Sequence, residues 1–104
     1  MGNYRGRLDI IADILQVASP NAKKTQIMYQ ANLSYKVLQR YLKHVTEAEL
    51  LCFESGEQCY VLTPKGREFL EAYRDYDRTN KSIEKRMNDV DNKKKTLEEL
   101  CSNK

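Results

Sequence analysis

The side chains of this chain that could do chemistry are mainly basic, and they lie in one stretch. Asp13 is the last acidic residue before Glu47 in the sequence of 104 residues. Residues 14–46 carry five cations and no anion: Lys23, Lys24, Lys36, Arg40 and Lys43. The net charge is only +3, so the rest of the chain is nearly balanced. A local positive field suits a polyanion such as nucleic acid, although a solvated surface is the alternative.

Few other residues have the types and spacing that catalysis or metal binding needs. The single histidine, His44, leaves little material for His-based catalysis, and Cys52, Cys59 and Cys101 lack metal-ligand spacing. The sequence has no Gly-rich phosphate loop, no Ser/His/Asp set and no paired carboxylates that would form a catalytic site. We therefore expect a protein that is not an enzyme and that has no metal, cofactor or small-molecule substrate.

The cysteines and the apolar segments also bear on location. An odd number of cysteines without metal spacing is typical of reduced thiols in a cytosol. The first residues lead directly into an amphipathic pattern without a signal-peptide core, and no run of about 18 apolar residues could cross a membrane. We expect a cytoplasmic protein.

Helical periodicity in the first half of the chain predicts three helices. An apolar face begins at Leu8, continues to Ala18 and ends before Ser19-Pro20, because Pro disfavours helical geometry in the preceding residue. A short helix is predicted at about 24–31 and a third at about 35–45, with Ser34 as its N-cap. The residues of the last two helices that we expect to face inward are Ile27, Met28, Ala31, Leu38, Tyr41, Leu42 and Val45.

After residue 49 the apolar period changes to about 2, which is typical of strands. Residues 51–54 and 58–62 flank Ser55-Gly56-Glu57 and predict a short hairpin. If Ser55-Gly56 were a two-residue turn, Cys52 would lie opposite Cys59. Thr63 and Pro64 follow as the predicted N-cap and first residue of the next helix.

That last helix is predicted to be long, about 35 residues, since no Pro follows residue 64 and no Gly follows residue 66. Spacings of four and three alternate along it and form a heptad stripe. We call the following residues the seam: Phe69, Tyr73, Tyr76, Asn80, Ile83, Met87, Val90, Leu97 and Cys101. An apolar seam that its own chain cannot cover needs a partner, and we expect a homodimer. A frayed polar tail is the alternative, because Asn80 and Lys94 interrupt the stripe.

The order helix, helix, helix, hairpin, long helix is the layout of a winged helix-turn-helix. We predict a mainly α fold with a small β-hairpin at 5–62, followed by a long C-terminal coiled-coil helix at 63–101. The third helix would enter the major groove of a duplex. Its positions outside the core offer hydroxyls, an amide and cations for base edges and phosphates: Ser34, Tyr35, Lys36, Gln39, Arg40 and Lys43. Together with Lys23 and Lys24, these are the predicted DNA-contact residues.

Three segments carry a resemblance to a known group of proteins: Ala31-Asn32-Leu33-Ser34-Tyr35-Lys36, Leu38-Gln39-Arg40-Tyr41-Leu42 and Tyr60-Val61-Leu62-Thr63-Pro64-Lys65-Gly66. They resemble archaeal winged-helix proteins, and more narrowly the small archaeal chromosomal proteins with a C-terminal antiparallel coiled-coil dimerisation helix. The resemblance covers roughly residues 7–72 by motif and the remainder by layout. It implies that the third helix and the wing touch DNA. The chain departs from the pattern at Glu49, where Gly is usual, and at the wing tip, which has an acid and no Arg or Lys.

These observations lead to double-stranded DNA as the predicted partner. We expect a homodimer that acts at the nucleoid, either as an architectural chromosomal protein or as a transcriptional regulator. A protein-interaction adaptor that uses both the winged helix and the coiled coil is the alternative. Charges flanking the seam favour a parallel pair, but crowding of the two domains and the resemblance favour an antiparallel one, which we expect.

Overall fold

The computed structural model describes residues 5–102, which form four helices and three strands. In chain order they are α1 (Arg7–Val17), β1 (Asn21–Ala22), α2 (Lys24–Gln30), α3 (Tyr35–Glu47), β2 (Leu51–Glu54), β3 (Cys59–Leu62) and α4 (Pro64–Leu100). This order confirms the predicted mainly α winged helix-turn-helix with a long C-terminal helix. Within residues 5–102, the helices lack an apolar stretch of the length that a membrane span requires.

The chain divides into two compact units, and the first ends at Tyr73. The predicted boundary lies at 62/63, and the first unit extends beyond it to include the first turns of α4. These turns belong to it because Leu70 is buried in its core and Phe69 and Tyr73 are half-buried against that core. The second unit begins at Arg74 and consists of the rest of α4 and the residues that follow.

The core of the first unit is formed by side chains from all three short helices and the sheet. Those that are fully buried and largest are Ile14, Leu15, Ile27, Leu38, Val45 and Leu51. Most of the predicted inward positions are confirmed, with Met28 and Tyr41 half-buried at the edge. Leu8 is an exception, since it is 43% exposed. It lies in the first turn of α1, while the buried side of that helix begins at Ile11.

The predicted hairpin is part of a three-stranded antiparallel sheet with the order β1-β3-β2. β1 pairs Asn21 with Val61 and Ala22 with Tyr60. Two residues are too few to show an alternating pattern, which is why the sequence did not predict this strand. β3 is therefore the central strand and pairs with β1 on one side and with β2 on the other.

The wing, which we define as residues 51–62, contains a longer loop than a two-residue turn. Cys52 pairs with Val61 and Glu54 pairs with Cys59, so Cys52 and Cys59 are not opposite each other, and both thiols are free. Side-chain hydrogen bonds stabilise the four residues 55–58 between the strands. The Glu57 N–H donates to Glu54 Oε1 at 2.8 Å, and Gln58 Nε2 donates to the Ser55 carbonyl at 2.8 Å.

The two predicted N-caps are confirmed. Ser34 Oγ accepts a hydrogen bond from the Val37 N–H at 3.3 Å, and Thr63 Oγ1 accepts one from the Gly66 N–H at 2.9 Å. The turn before α3 contains Asn32 at φ 55°, a left-handed conformation that Asn adopts more readily than most residues.

The segment after α3 is tied to the start of α4. The Thr63 N–H donates to the Leu50 carbonyl at 3.2 Å, and Lys65 Nζ donates to the Ala48 carbonyl at 2.8 Å. Glu49 has φ 64°, the left-handed region that explains why Gly is usual at this position in the group that the chain resembles. These contacts hold the end of α3, the first wing strand and the start of α4 together.

The second unit exposes its apolar residues along one helix. Ile83, Met87, Val90 and Leu97 are 51%, 62%, 63% and 64% exposed. Surface ion pairs one turn apart join Asp75 to Arg78 and Asp77 to Lys81; exposed pairs of this kind contribute about 0–1 kcal/mol each.

Candidate nucleic-acid interface

Helix α3 has one buried side and one basic side. Leu38, Leu42 and Val45 lie at helical spacing and face the core. The predicted contact residues on α3 and at its N-cap lie on the other side, and all of them are exposed: Ser34, Tyr35, Lys36, Gln39, Arg40 and Lys43. We call these six residues the recognition face. No acidic residue stands among them, because the helix contains only one acid, Glu47, at its last position.

An open groove runs beside the recognition face. Four of the six residues line it, namely Lys36, Gln39, Arg40 and Lys43, and Tyr60 of β3 contributes to the opposite wall. Three cations and an amide therefore point into one concave surface. Such a set can bind phosphate oxygens and can donate to the acceptor atoms of base edges.

The start of α2 is joined to the start of α3 through Lys24 and Tyr35. Lys24 Nζ lies 3.3 Å from the Tyr35 hydroxyl and 4.6 Å from the centre of its ring. Lys24 is half-buried, whereas Lys23, the N-cap of α2, is exposed. The contact brings one of the two predicted α2 cations to the N-terminal end of the recognition face.

The turn between α2 and α3 is held by Arg5, a residue that sequence reasoning missed. Its Nη1 donates to the Ala31 carbonyl at 2.7 Å and its Nη2 donates to the Asn32 carbonyl at 2.9 Å. Nη1 also forms an ion pair with Asp13 at 2.8 Å. A guanidinium in this position satisfies carbonyls at the end of α2 that have no helical partner. Arg5 is 26 residues from Ala31 in the sequence, and no local pattern signals such a contact.

A second missed residue is Arg7 at the first position of α1. Its Nη2 lies 2.6 Å from Nε2 of His44 on α3. The pattern of α1 indicated only a packing helix, so nothing in the sequence linked Arg7 to the recognition face.

The wing has the opposite charge. Residues 51–62 contain Glu54 and Glu57 and no Lys or Arg. The rings of Phe53 and Tyr60 pack across the strands with their centres 5.0 Å apart and their planes tilted by 59°. The wing therefore presents carboxylates and aromatic rings, and it has no cation with which to bind phosphate.

The seam residues divide between the two units. Phe69 and Tyr73 stack on each other with ring centres 6.4 Å apart and are half-buried in the first unit. The Tyr73 hydroxyl donates to Asp9 Oδ1 at 2.5 Å. This bond, followed by the Gly6 N–H and the charge of Arg5, holds the pKa of Asp9 below its ordinary value of 3.8. The remaining seam residues are exposed, with Tyr76 only partly covered: Tyr76, Asn80, Ile83, Met87, Val90, Leu97 and Cys101.

No group of His, Cys, Asp or Glu within residues 5–102 could hold a metal ion. The cations on α3 could bind an anionic ligand instead.

Comparisons with known proteins agree with the observed fold. A family model described as winged helix-turn-helix matches residues 4–81. Among solved structures, the chain is similar to Sso10a-2, a DNA-binding protein from Sulfolobus solfataricus. The TM-score is 0.66 and the identity 25%, over 96% of this chain and 100% of the other.

A curated relative comes from another archaeon. An uncharacterized protein from Methanocaldococcus jannaschii is 40% identical over 68 residues, which are 64% of this chain and 31% of the relative. The chain therefore spans about a third of the length of that relative.

Proposed function

Because the chain belongs to the winged helix-turn-helix family, we propose that it binds double-stranded DNA through the recognition face. The observation that carries the proposal is the exposure of Lys36, Arg40 and Lys43 on the side of α3 opposite the buried Leu38 and Leu42. The similarity to Sso10a-2, which is a DNA-binding protein, supports it. No catalytic step is part of the proposal.

In the proposed complex, α3 lies in the major groove. The groove is about 12 Å wide and a helix with side chains is about 10–12 Å across, so α3 fits into it. Gln39 and Arg40 lie midway along the length of the face and would donate to base edges, with Gln suited to adenine and Arg to guanine. Lys36 and Lys43 flank them and would bind phosphates, which position the helix without reading sequence.

The N-terminal end of the recognition face would bind the phosphate backbone. Ser34 uses its oxygen as the helix cap and keeps its hydroxyl hydrogen to donate. Tyr35 carries a second hydroxyl, and Lys24 adds a cation beside it. Lys23 lies next to Lys24 and would extend these contacts along one strand.

We further propose that two copies of the chain pair through the exposed seam residues of the second unit. Ile83, Met87, Val90 and Leu97 are more than half exposed in one chain, and a partner helix would remove them from water. Burial of the exposed half of such a side chain contributes about 1 kcal/mol. An antiparallel pair would keep the two winged-helix units apart and give the dimer two DNA-binding faces. Such a dimer suits either an architectural chromosomal protein at the nucleoid or a transcriptional regulator.

A salt-titrated binding measurement tests the DNA proposal. Wild-type protein should bind random duplex DNA, and its affinity should fall linearly on logarithmic axes as salt rises. Lys36→Ala and Arg40→Ala should each weaken binding, and loss of one phosphate contact reduces the slope by about one. Lys85→Ala removes an exposed cation from the second unit and is the matched control. Equal affinity and slope for all four proteins would contradict the assignment of α3.

Affinities for random and for selected duplexes distinguish an architectural role from a regulatory one. An architectural protein should bind random and selected duplexes within a few-fold of each other, whereas a regulator should prefer its site by about 10³-fold or more.

Sedimentation tests the dimer. Ile83→Lys places a charge in the seam and should give a monomer that binds DNA more weakly, because two linked sites bind with avidity. Ser82→Lys adds the same charge at the neighbouring position outside the seam and should remain a dimer. A dimeric Ile83→Lys variant would refute pairing through this surface.

A further inference from the structure

Arg7 is an exposed cation that lies outside the basic stretch of the sequence and is nevertheless attached to α3. Its Nη2 is 2.6 Å from His44 Nε2, a contact between residues 37 apart in the sequence. A guanidinium has no acceptor, so Arg7 donates and the lone pair of Nε2 accepts. One of the N–H groups of Arg7 is used in this bond, and the others remain for a further acceptor.

The stability of the fold does not explain the position of Arg7. It is the first residue of α1, where the helix dipole disfavours a positive charge. Within residues 5–102, no carboxylate forms an ion pair with it. Asp9 lies in the same first turn but accepts its hydrogen bonds from the Gly6 N–H and from Tyr73. Arg7 is therefore a cation without a compensating anion.

The contact with His44 places Arg7 at one edge of the recognition face. His44 follows Arg40 by four residues, so the two side chains lie one above the other on α3. Gln39 and Thr46 lie at the other edge, and both line the groove that Tyr60 of the wing closes. The charge of α3 is thus extended toward α1 and away from the wing.

The wing, unlike α3, is unsuited to binding phosphate. Glu54 and Glu57 stand at its tip, and the hydrogen bond from the Glu57 N–H to Glu54 Oε1 holds that carboxylate at the loop. No cation between residues 51 and 62 offsets these two charges. A phosphate brought to the tip would meet like charges, which repel it.

We propose that Arg7 is a further DNA-contact residue, that His44 positions its guanidinium, and that the duplex lies across α3 and the first turn of α1 without phosphate contacts from the wing tip. The fork of a guanidinium binds a phosphate with two N–H groups, which an ammonium cannot do with the same geometry. This inference rests on the proposed DNA binding of α3 and adds the side on which the backbone is held.

The test measures affinity and salt slope for variants at both positions, with each fold checked by circular dichroism. Arg7→Ala should reduce the slope by about 0.9, which corresponds to about 8-fold weaker binding at about 0.1 M salt. Arg7→Lys should keep the slope. His44→Ala leaves the cation in place, so its affinity should fall while its slope stays at the wild-type value. His44→Gln retains an acceptor and should restore the affinity, which a merely structural role would not predict.

The outcomes distinguish this inference from the function on which it rests. If wild-type protein shows no salt-dependent binding, the proposed function fails. If Arg40→Ala weakens binding but Arg7→Ala matches wild type in affinity and slope, DNA binding stands and the role of Arg7 is refuted. A loss in the wing-tip variant Gln58→Ala as large as that in Arg7→Ala would also refute it, because the duplex would then touch the wing.

Discussion

Gly66 packs so closely against the backbone of Leu50 that replacing it with alanine should destabilise the protein. Gly66 lies in the first turn of α4, and a Cβ added to it would be 2.2 Å from the Leu50 carbonyl oxygen and 2.6 Å from Leu62 Cδ1. The carbonyl cannot move freely, because it accepts a hydrogen bond from the Thr63 N–H at 3.2 Å. Gly66→Ala must therefore shift the start of α4 away from the segment that follows α3.

Three free-energy contributions decide the result for Gly66→Ala. Alanine in place of glycine in a helix stabilises by about 1 kcal/mol. Overpacking against backbone costs about 1–3 kcal/mol, and a weakened hydrogen bond at Leu50 costs about 1 kcal/mol more. The costs exceed the gain, and we expect the free energy of unfolding to fall by about 2 kcal/mol.

Urea denaturation at a fixed protein concentration measures the change. The matched control is Gly56→Ala at the wing tip, where the nearest atom to an added Cβ is Glu54 Oε1 at 3.1 Å, on an exposed side chain that can shift by a few tenths of an ångström and keep its bond to the Glu57 N–H. This control should stay within about 0.5 kcal/mol of wild type. A Gly66→Ala protein as stable as wild type would refute the reasoning, since helix propensity would then have outweighed the steric contact.

Three further predictions concern other parts of the molecule. Glu49→Gly should stabilise the protein by about 0.5 kcal/mol in the same assay, because relief of the left-handed conformation at φ 64° exceeds the added freedom of the unfolded chain; a less stable variant would contradict this. The Tyr73 hydrogen bond lowers the pKa of Asp9, so the ionised carboxylate stabilises the fold above pH 3.8, and this stabilisation is lost as the pH falls through the pKa of Asp9 in the folded protein. Tyr73→Phe should therefore be less stable than wild type at neutral pH and approach wild type in acid. A stability difference that does not change with pH would contradict this role of Tyr73. A variant that keeps only Cys101 should form little intermolecular disulfide if the helices pair antiparallel, and ready disulfide formation would mean parallel chains.

Local signals in the sequence predicted most elements of the fold. Ser34 and Thr63 cap helices as predicted, because a cap depends on residues only three positions away. The helical spacing of Leu38, Leu42 and Val45 is enough to put the basic side chains on the opposite side of α3, because the buried positions of a helix fix its exposed ones.

The parts that the sequence did not predict depend on contacts between distant residues or on very short segments. β1 is two residues long, and the wing loop is longer than expected because Glu54 and Gln58 bond to backbone groups inside it. Arg5 and Arg7 contact residues 26 to 37 positions away, and these contacts form only when α1 packs beside α2 and α3. Contacts between residues this far apart in the sequence have no local periodicity to indicate them.

The most direct test of the central claim, that α3 holds duplex DNA, is a map of backbone amide NMR shifts during titration with a short duplex. We expect the largest changes within Tyr35–Glu47, above all at Lys36, Gln39 and Arg40, and small changes at the wing tip, 55–58. Arg40→Ala should reduce the changes across α3 at the same DNA concentration. Largest changes in the wing, or in the second unit with α3 unchanged, would contradict the account.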